Sequence, residues 1–202
     1  YSTDRFWHIP HFEKMLYDNG QLAAVYSAAY QLTKREDYRA VVVEMLDFIL
    51  RELTGQQGGF YAALDAETDA EEGKYYRWDK SELQRLLTTA QWQEFAPLYS
   101  VYGEPNFEHK YFVPMLARPL KELDESQRNW RAEQFPEVRG KLWDARNKRK
   151  RPLTDTKILT GWNGLMIGGF ADAGRLLDEP RFVEAAERAA NFVLEKLRTP
   201  DG

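Results

Sequence analysis

The sequence predicts a mainly α fold built from repeated helical hairpins, with short β segments in the region that connects them. Three observations predict it. Four stretches carry apolar residues at helical spacing. Two of them map onto the other two by a gapless offset of 144 residues. The stretch between lacks the helical period over much of its length and contains short runs that read as extended.

The first predicted helix covers 18–33, with Leu22, Val25, Tyr26, Ala29 and Leu32 on one side. The second covers 37–53, with Tyr38, Val42, Met45, Leu46, Ile49 and Leu53. The third covers 161–177. The fourth covers 181–197 and carries Phe182, Ala186, Ala189, Val193 and Leu197. The offset carries Asn19-Gly20 onto Asn163-Gly164, Tyr26 onto Phe170, Tyr38 onto Phe182, Leu53 onto Leu197 and Gly58 onto Gly202. A hairpin cannot bury its apolar face alone, whereas stacked copies bury a shared core. The organisation read from this is one continuous piece, with repeated hairpins at 18–53 and 162–197 and a connecting region at 59–160.

In the connecting region, 60–65 and 74–78 read as extended around an acidic turn at 66–73. Asp79 and Glu82 have the spacing of a capping box opening a short helix to Thr88. A helix is predicted over 91–99, a loop at 103–106, and a strand over 111–116 weakened by Pro114. A polar helix over 125–148 is expected to break at Pro136. Arg146 to Arg151 is a basic run.

Composition narrows the function classes. Hydrophobic residues are 43% and charged residues 30%, a globular balance that excludes wholesale disorder. A net charge of −4 gives no electrostatic reason to expect nucleic acid. The absence of Cys removes disulfides and thiolate chemistry. No apolar run approaches the ~20 residues that span a bilayer, so no membrane partner is expected. Aromatic residues reach 14%, several beside charges, as in ligand clefts. The chain begins at Tyr1 without Met and stops at Gly202, which reads as an internal piece of a longer protein. Its localisation is left open, with the cytoplasm favoured.

Three clusters carry candidate chemistry. The run from Trp7 to Asn19 sets His8, His11, Glu13, Tyr17 and Asp18 just before and into the first helix. His11 is the first candidate for acid–base work, with Glu13 or Asp65 as partner. The alternative is a packed loop that seats the helix. Only His109 remains as a third imidazole, so no metal is expected there, and no cofactor is expected. The second cluster is Asp65 to Gly73. An EF-hand would need Gly and Glu where Ala70 and Tyr76 stand, so that motif is rejected, while a looser calcium site stays open. Asp65 and Glu72 are candidates to face a pocket, and the other acids read as a solvated turn. The third cluster, Trp162-Asn163-Gly164, repeats the helix entry. Trp7, Tyr17, Trp78 and Trp162 would stack on a sugar, and His8, Asp18, Asn19, Glu72 and Asn163 would bind it. The alternative for Asn163 is a backbone cap.

These residues also resemble a known family. Tyr1-Ser2-Thr3-Asp4, the run from Trp7 to Asp18, Gly59-Phe60-Tyr61, Leu64-Asp65-Ala66, Glu71-Glu72-Gly73-Lys74, Tyr76, Trp78, Arg151-Pro152, Asp155, Lys157, Leu159 and Trp162-Asn163-Gly164-Leu165-Met166 are similar to the YyaL-type, spermatogenesis-associated thioredoxin-like proteins. The resemblance implies a thioredoxin-like domain followed by a six-hairpin α/α toroid like that of N-acylglucosamine 2-epimerases. This chain would then be a partial toroid that binds a sugar-like ligand, beside a thioredoxin-like domain of the same parent. Catalysis of the epimerase or isomerase kind belongs to that parent, and the fragment alone is expected to be inactive and to self-associate. The rival reading is a non-catalytic scaffold or protein-interaction module.

Overall fold

The computed structural model describes residues 1–199. Gly202, which the offset pairs with Gly58, lies outside the described residues. In chain order the elements are β1 (Lys14–Met15), α1 (Leu16–Thr33), α2 (Glu36–Glu52), β2 (Ala63–Leu64), β3 (Glu67–Thr68), β4 (Glu71–Glu72), α3 (Lys80–Leu86) and α4 (Thr89–Leu98). A 3-10 turn (Leu120–Glu122), α5 (Glu125–Glu133), α6 (Phe135–Asn147), β5 (Thr154–Asp155), α7 (Thr160–Leu176) and α8 (Pro180–Lys196) follow. The fold is mainly α with short β segments, the class expected of a partial α/α toroid. The chain forms two compact units. One comprises Tyr1–Phe12 and Ala66–Pro152, the other Glu13–Asp65 and the chain from Leu153 onward.

The second unit holds both hairpins. Starts of α1 and α7 are separated by 144 residues, as are the starts and the ends of α2 and α8. Its core is one cluster that includes Leu16, Val42, Leu46, Ile49, Phe60, Met166, Phe170 and Phe182. In α2 the buried positions Val42, Leu46 and Ile49 recur at helical spacing, the face the sequence pattern marks. Helices α1 and α7 touch through small residues. A Cβ on Gly20 would come within 2.7 Å of the Leu165 carbonyl carbon, and one on Gly169 within 2.6 Å of the Gly20 oxygen. Gly20 meets Leu165 and Met166 while Ala23 meets Gly169, so the two helices run parallel. A three-stranded antiparallel sheet, ordered β1-β2-β5, sits where the chain enters α1, with Lys14 opposite Leu64 and Ala63 opposite Asp155.

The first unit packs α3 to α6 around Leu83, Phe95, Val101, Phe112, Trp130 and Val138. The polar stretch 125–148 is two helices parted at Gln134, just before Pro136. Several local expectations are corrected here. The acidic turn is itself a β-hairpin, β3 to β4, with Asp69 and Ala70 at φ 55° and 58° as a type I′ turn requires. The segment 74–78 is mostly turn, because Tyr76 and Arg77 both donate their backbone N–H to the Gly73 oxygen. The strand over 111–116 reduces to single bridges, Phe112 with Trp78 and Tyr111 with Phe107. Asp79 precedes α3 without a side-chain cap, and the carboxylate of Glu82 is taken instead by Arg149. Capping boxes form at Thr88 with Gln91 and at Asp124 with Gln127.

Candidate functional site

In the second unit, β1 leads directly into α1, which sets Tyr17 and Asp18 in the first helical turn. The parallel course of α7 brings Trp162 to the same end. The two rings meet edge to face with centroids 4.8 Å apart. The β1–β2 register pairs Lys14 with Leu64, so Glu13 and Asp65 are the flanking residues just beyond that pair. The backbone N–H of Asp65 donates to the Leu153 oxygen, which holds it in the sheet. Nearby on β5, Asp155 pairs with the ammonium of Lys157 at 3.0 Å and accepts from its backbone N–H, which together hold this carboxyl below its ordinary range. Glu13, Tyr17, Asp18, Asp65 and Trp162 therefore gather at one end of the hairpins.

The two asparagines of this end serve the backbone. Asn19 donates to the Met15 oxygen (2.7 Å), and Asn163 makes the same bond four residues back, to Leu159 (3.1 Å). Asn163 is also fully buried, with Oδ1 accepting from the Phe60 N–H (2.8 Å) and Nδ2 donating to the Phe60 oxygen (3.0 Å). Both amide hydrogens are spent, so Asn163 is a latch between α7 and the chain leaving the first hairpin rather than a ligand-binding group.

The first unit holds the remaining sequence-flagged residues. Asp4 organises their loop by accepting backbone N–H bonds from Ile9, Phe6 and His8, which together hold its carboxyl below the usual range. This loop leaves His8 exposed and Trp7 78% exposed in a left-handed conformation. His11 is half-buried, stacked on Tyr1 at 4.6 Å, and its Nδ1 is buried without a hydrogen-bond partner. Glu72 is exposed on β4. Trp78 corrects the expectation of a sugar-stacking wall. It is only 6% exposed, packed into the core beneath the Arg149 guanidinium, whose centre lies 4.0 Å from a Trp78 ring centroid.

The acidic turn and the basic run come together in this unit. The acidic hairpin and the basic run form a cleft of about 420 Å³ lined by Thr68, Asp69, Glu71, Arg77, Glu82 and Arg149, among others. Arg77 is nearly buried, lies 3.8 Å from the Tyr111 ring centroid, and reaches Glu71 and Glu108. Lys150 pairs with Asp69, and Lys74 with Glu71. Asp69 is held below its ordinary range mainly by Lys150, and Glu71 mainly by Lys74 and then Arg77. Since both carboxyls are depressed, their contribution is complete above roughly pH 4–5 and is lost as pH falls through their folded values. The opposite charge of the two stretches was a usable signal in the sequence, but their separation of about 80 residues hid the pairing. A larger groove of about 820 Å³ lies along α4 and α5, with Glu94, Asp124, Glu125 and Glu133 in its wall. No sequence-flagged residue lines it, and it has no lysine or arginine in its wall. Among the described residues, no group of three or more His, Asp or Glu side chains is placed to hold a metal ion. No described helix is long and apolar enough to cross a membrane.

No family model matches the chain. Over 220 residues it is 36% identical to spermatogenesis-associated protein 20 of Homo sapiens, covering 96% of this chain and 28% of that protein. The chain is a homologue of spermatogenesis-associated protein 20. The same protein of Mus musculus matches equally, and an uncharacterized protein of Caenorhabditis elegans is 31% identical over 223 residues. The chain spans less than a third of the length of these relatives. Among solved structures, a D-mannose isomerase is similar over 90% of this chain and 40% of its own, at 15% identity and a TM-score of 0.29.

Proposed function

We propose that the hairpin end of the second unit binds a sugar and that the chemistry it serves is proton transfer of the epimerase or isomerase kind. The observation that supports this reading is the Tyr17–Trp162 ring pair at the end where Glu13 and Asp65 flank the β1–β2 pairing. Aromatic rings take the C–H faces of a pyranose, and carboxylates bind its hydroxyls or take a proton from carbon beside a carbonyl. In a protein of the relatives' length, this end would act beside a thioredoxin-like domain of the same chain. The test, made on a protein of the relatives' length, is a titration of D-mannose and N-acetyl-D-glucosamine followed by tryptophan fluorescence, with C2–H exchange in D₂O followed by proton NMR. Trp162→Ala should lose binding. Glu13→Gln and Asp65→Asn should lose exchange while binding persists. A folded protein of the relatives' length that neither binds nor exchanges either sugar would defeat this reading. It would favour a scaffold, which the structural duty of Asn163 supports.

A further inference from the structure

The first unit contains a cavity of about 350 Å³ that the sugar reading does not use. Its wall includes Tyr76, Trp78, Tyr99, Phe135, Trp143 and Arg146. Arg139 also lines it, and no Asp or Glu does. The rings are fixed by one another: Tyr99 stacks on Phe95 at 4.9 Å and on Phe135 at 4.8 Å. The Tyr99 hydroxyl is tied down as well, accepting from Arg131 Nε at 3.0 Å.

Arg146 is the unusual member of this wall. Its guanidinium centre lies 4.7 Å from a Trp143 ring centroid, 5.2 Å from Tyr75 and 5.7 Å from Tyr76. Among the described residues no carboxylate accepts from it, and its Nε is buried without a hydrogen-bond partner. Arg149, three residues on, is by contrast bidentate on Glu82. A buried donor left unpaired costs free energy, and a guanidinium presents two parallel N–H groups matched to a carboxylate. The cavity thus offers a preformed aromatic slot with an unmatched cationic fork in its wall. Bare inorganic anions would use the fork and leave the rings idle, while neutral aromatics would do the reverse.

We propose that this cavity binds a small aromatic carboxylate, with its ring among the aromatic side chains and its carboxylate accepting from Arg146. The experiment titrates the chain with 3-phenylpropionate, 3-phenylpropionamide and acetate. Calorimetry and the fluorescence of Trp78 and Trp143 give the readout. Saturable binding of 3-phenylpropionate is expected, with the amide and acetate each weaker by about ten-fold or more, the worth of a charge-assisted bond. Arg146→Met should weaken 3-phenylpropionate by a similar factor and leave the amide unchanged, with a melting temperature equal to or above that of the wild type. Equal binding of acid and amide, equal binding of acid and acetate, or no saturation would overturn the proposal. Because these comparisons are made on the wild-type chain, they decide the matter even where a variant fails to fold.

Discussion

At the residue scale, Asn163 shows how a polar side chain at a helix start came to be read two ways. An amide beside Trp162 suits a sugar hydroxyl as well as a backbone group, and nothing local separates the two. The decision comes from Phe60, 103 residues away, whose N–H and oxygen both bond to this amide. Truncation would strand those buried groups, at about 1–3 kcal/mol each. Asn163→Ala is therefore expected to lower unfolding free energy by roughly 2–4 kcal/mol, measured by urea titration. Asn19 holds the equivalent position but is half-buried and, among the described residues, makes a single side-chain bond to the backbone, so Asn19→Ala should cost about 1 kcal/mol. Equal losses from the two variants would show that the Phe60 clasp adds nothing. The remaining sequence-flagged residues divide similarly. Tyr17 and Trp162 were legible as a pair because the repeat places both at helix starts. The burial of Trp78 was not legible, since it depends on Arg149 and Phe112 arriving from distant segments.

At the element scale, the hairpins share even their turn geometry. Lys34 and Asp178, related by the same offset, close the two turns at φ 55° and 56°. Neither is glycine, and a left-handed conformation costs an ordinary L-residue on the order of 1–2 kcal/mol. Glycine relieves that strain but loses some of the gain to the entropy of the unfolded chain. Lys34→Gly and Asp178→Gly should therefore each stabilise by about 0.5–1 kcal/mol, seen as a higher denaturant midpoint at unchanged slope. Destabilisation by either would mean that the side chain makes a contact worth more than its backbone strain. The helices themselves were legible because burial follows the 3.6-residue period, as in Val42, Leu46 and Ile49. The β3–β4 hairpin was missed because its turn is Asp69-Ala70, without the glycine that usually announces a type I′ turn. The capping box at Asp79 was misread because its Glu82 has a stronger use: Arg149 offers it two charge-assisted bonds, more than a cap supplies.

At the scale of the whole molecule, the α1–α7 contact is heterologous: it joins two different faces of equivalent helices. Helix α1 presents Gly20 and Ala23, and α7 presents Leu165, Met166 and Gly169. The offset places the outer copies of these faces in known positions. Leu22 and Val25 of α1 correspond to Met166 and Gly169, and they are 44% and 63% exposed. Gly164 of α7 corresponds to Gly20; it is exposed, and a Cβ added there would meet nothing within 4 Å. The chain thus carries both halves of one interface twice and satisfies each half once. Heterologous contacts of this kind continue until a ring closes or copies run on. Further hairpins would cover both faces in a protein of the relatives' length, whereas a second copy of this chain would be the matching partner here. Val25 stands where α7 has glycine, so the second contact is held wider than the first and is expected to be weaker. Sedimentation or light scattering should show a mean mass that rises with concentration. Val25→Glu should return the chain to a monomer with its helical circular dichroism unchanged, because that side chain faces solvent within one copy. A wild-type chain that stays monomeric across the concentration range, or a Val25→Glu variant that associates as before, would show that this face is not the one that drives association.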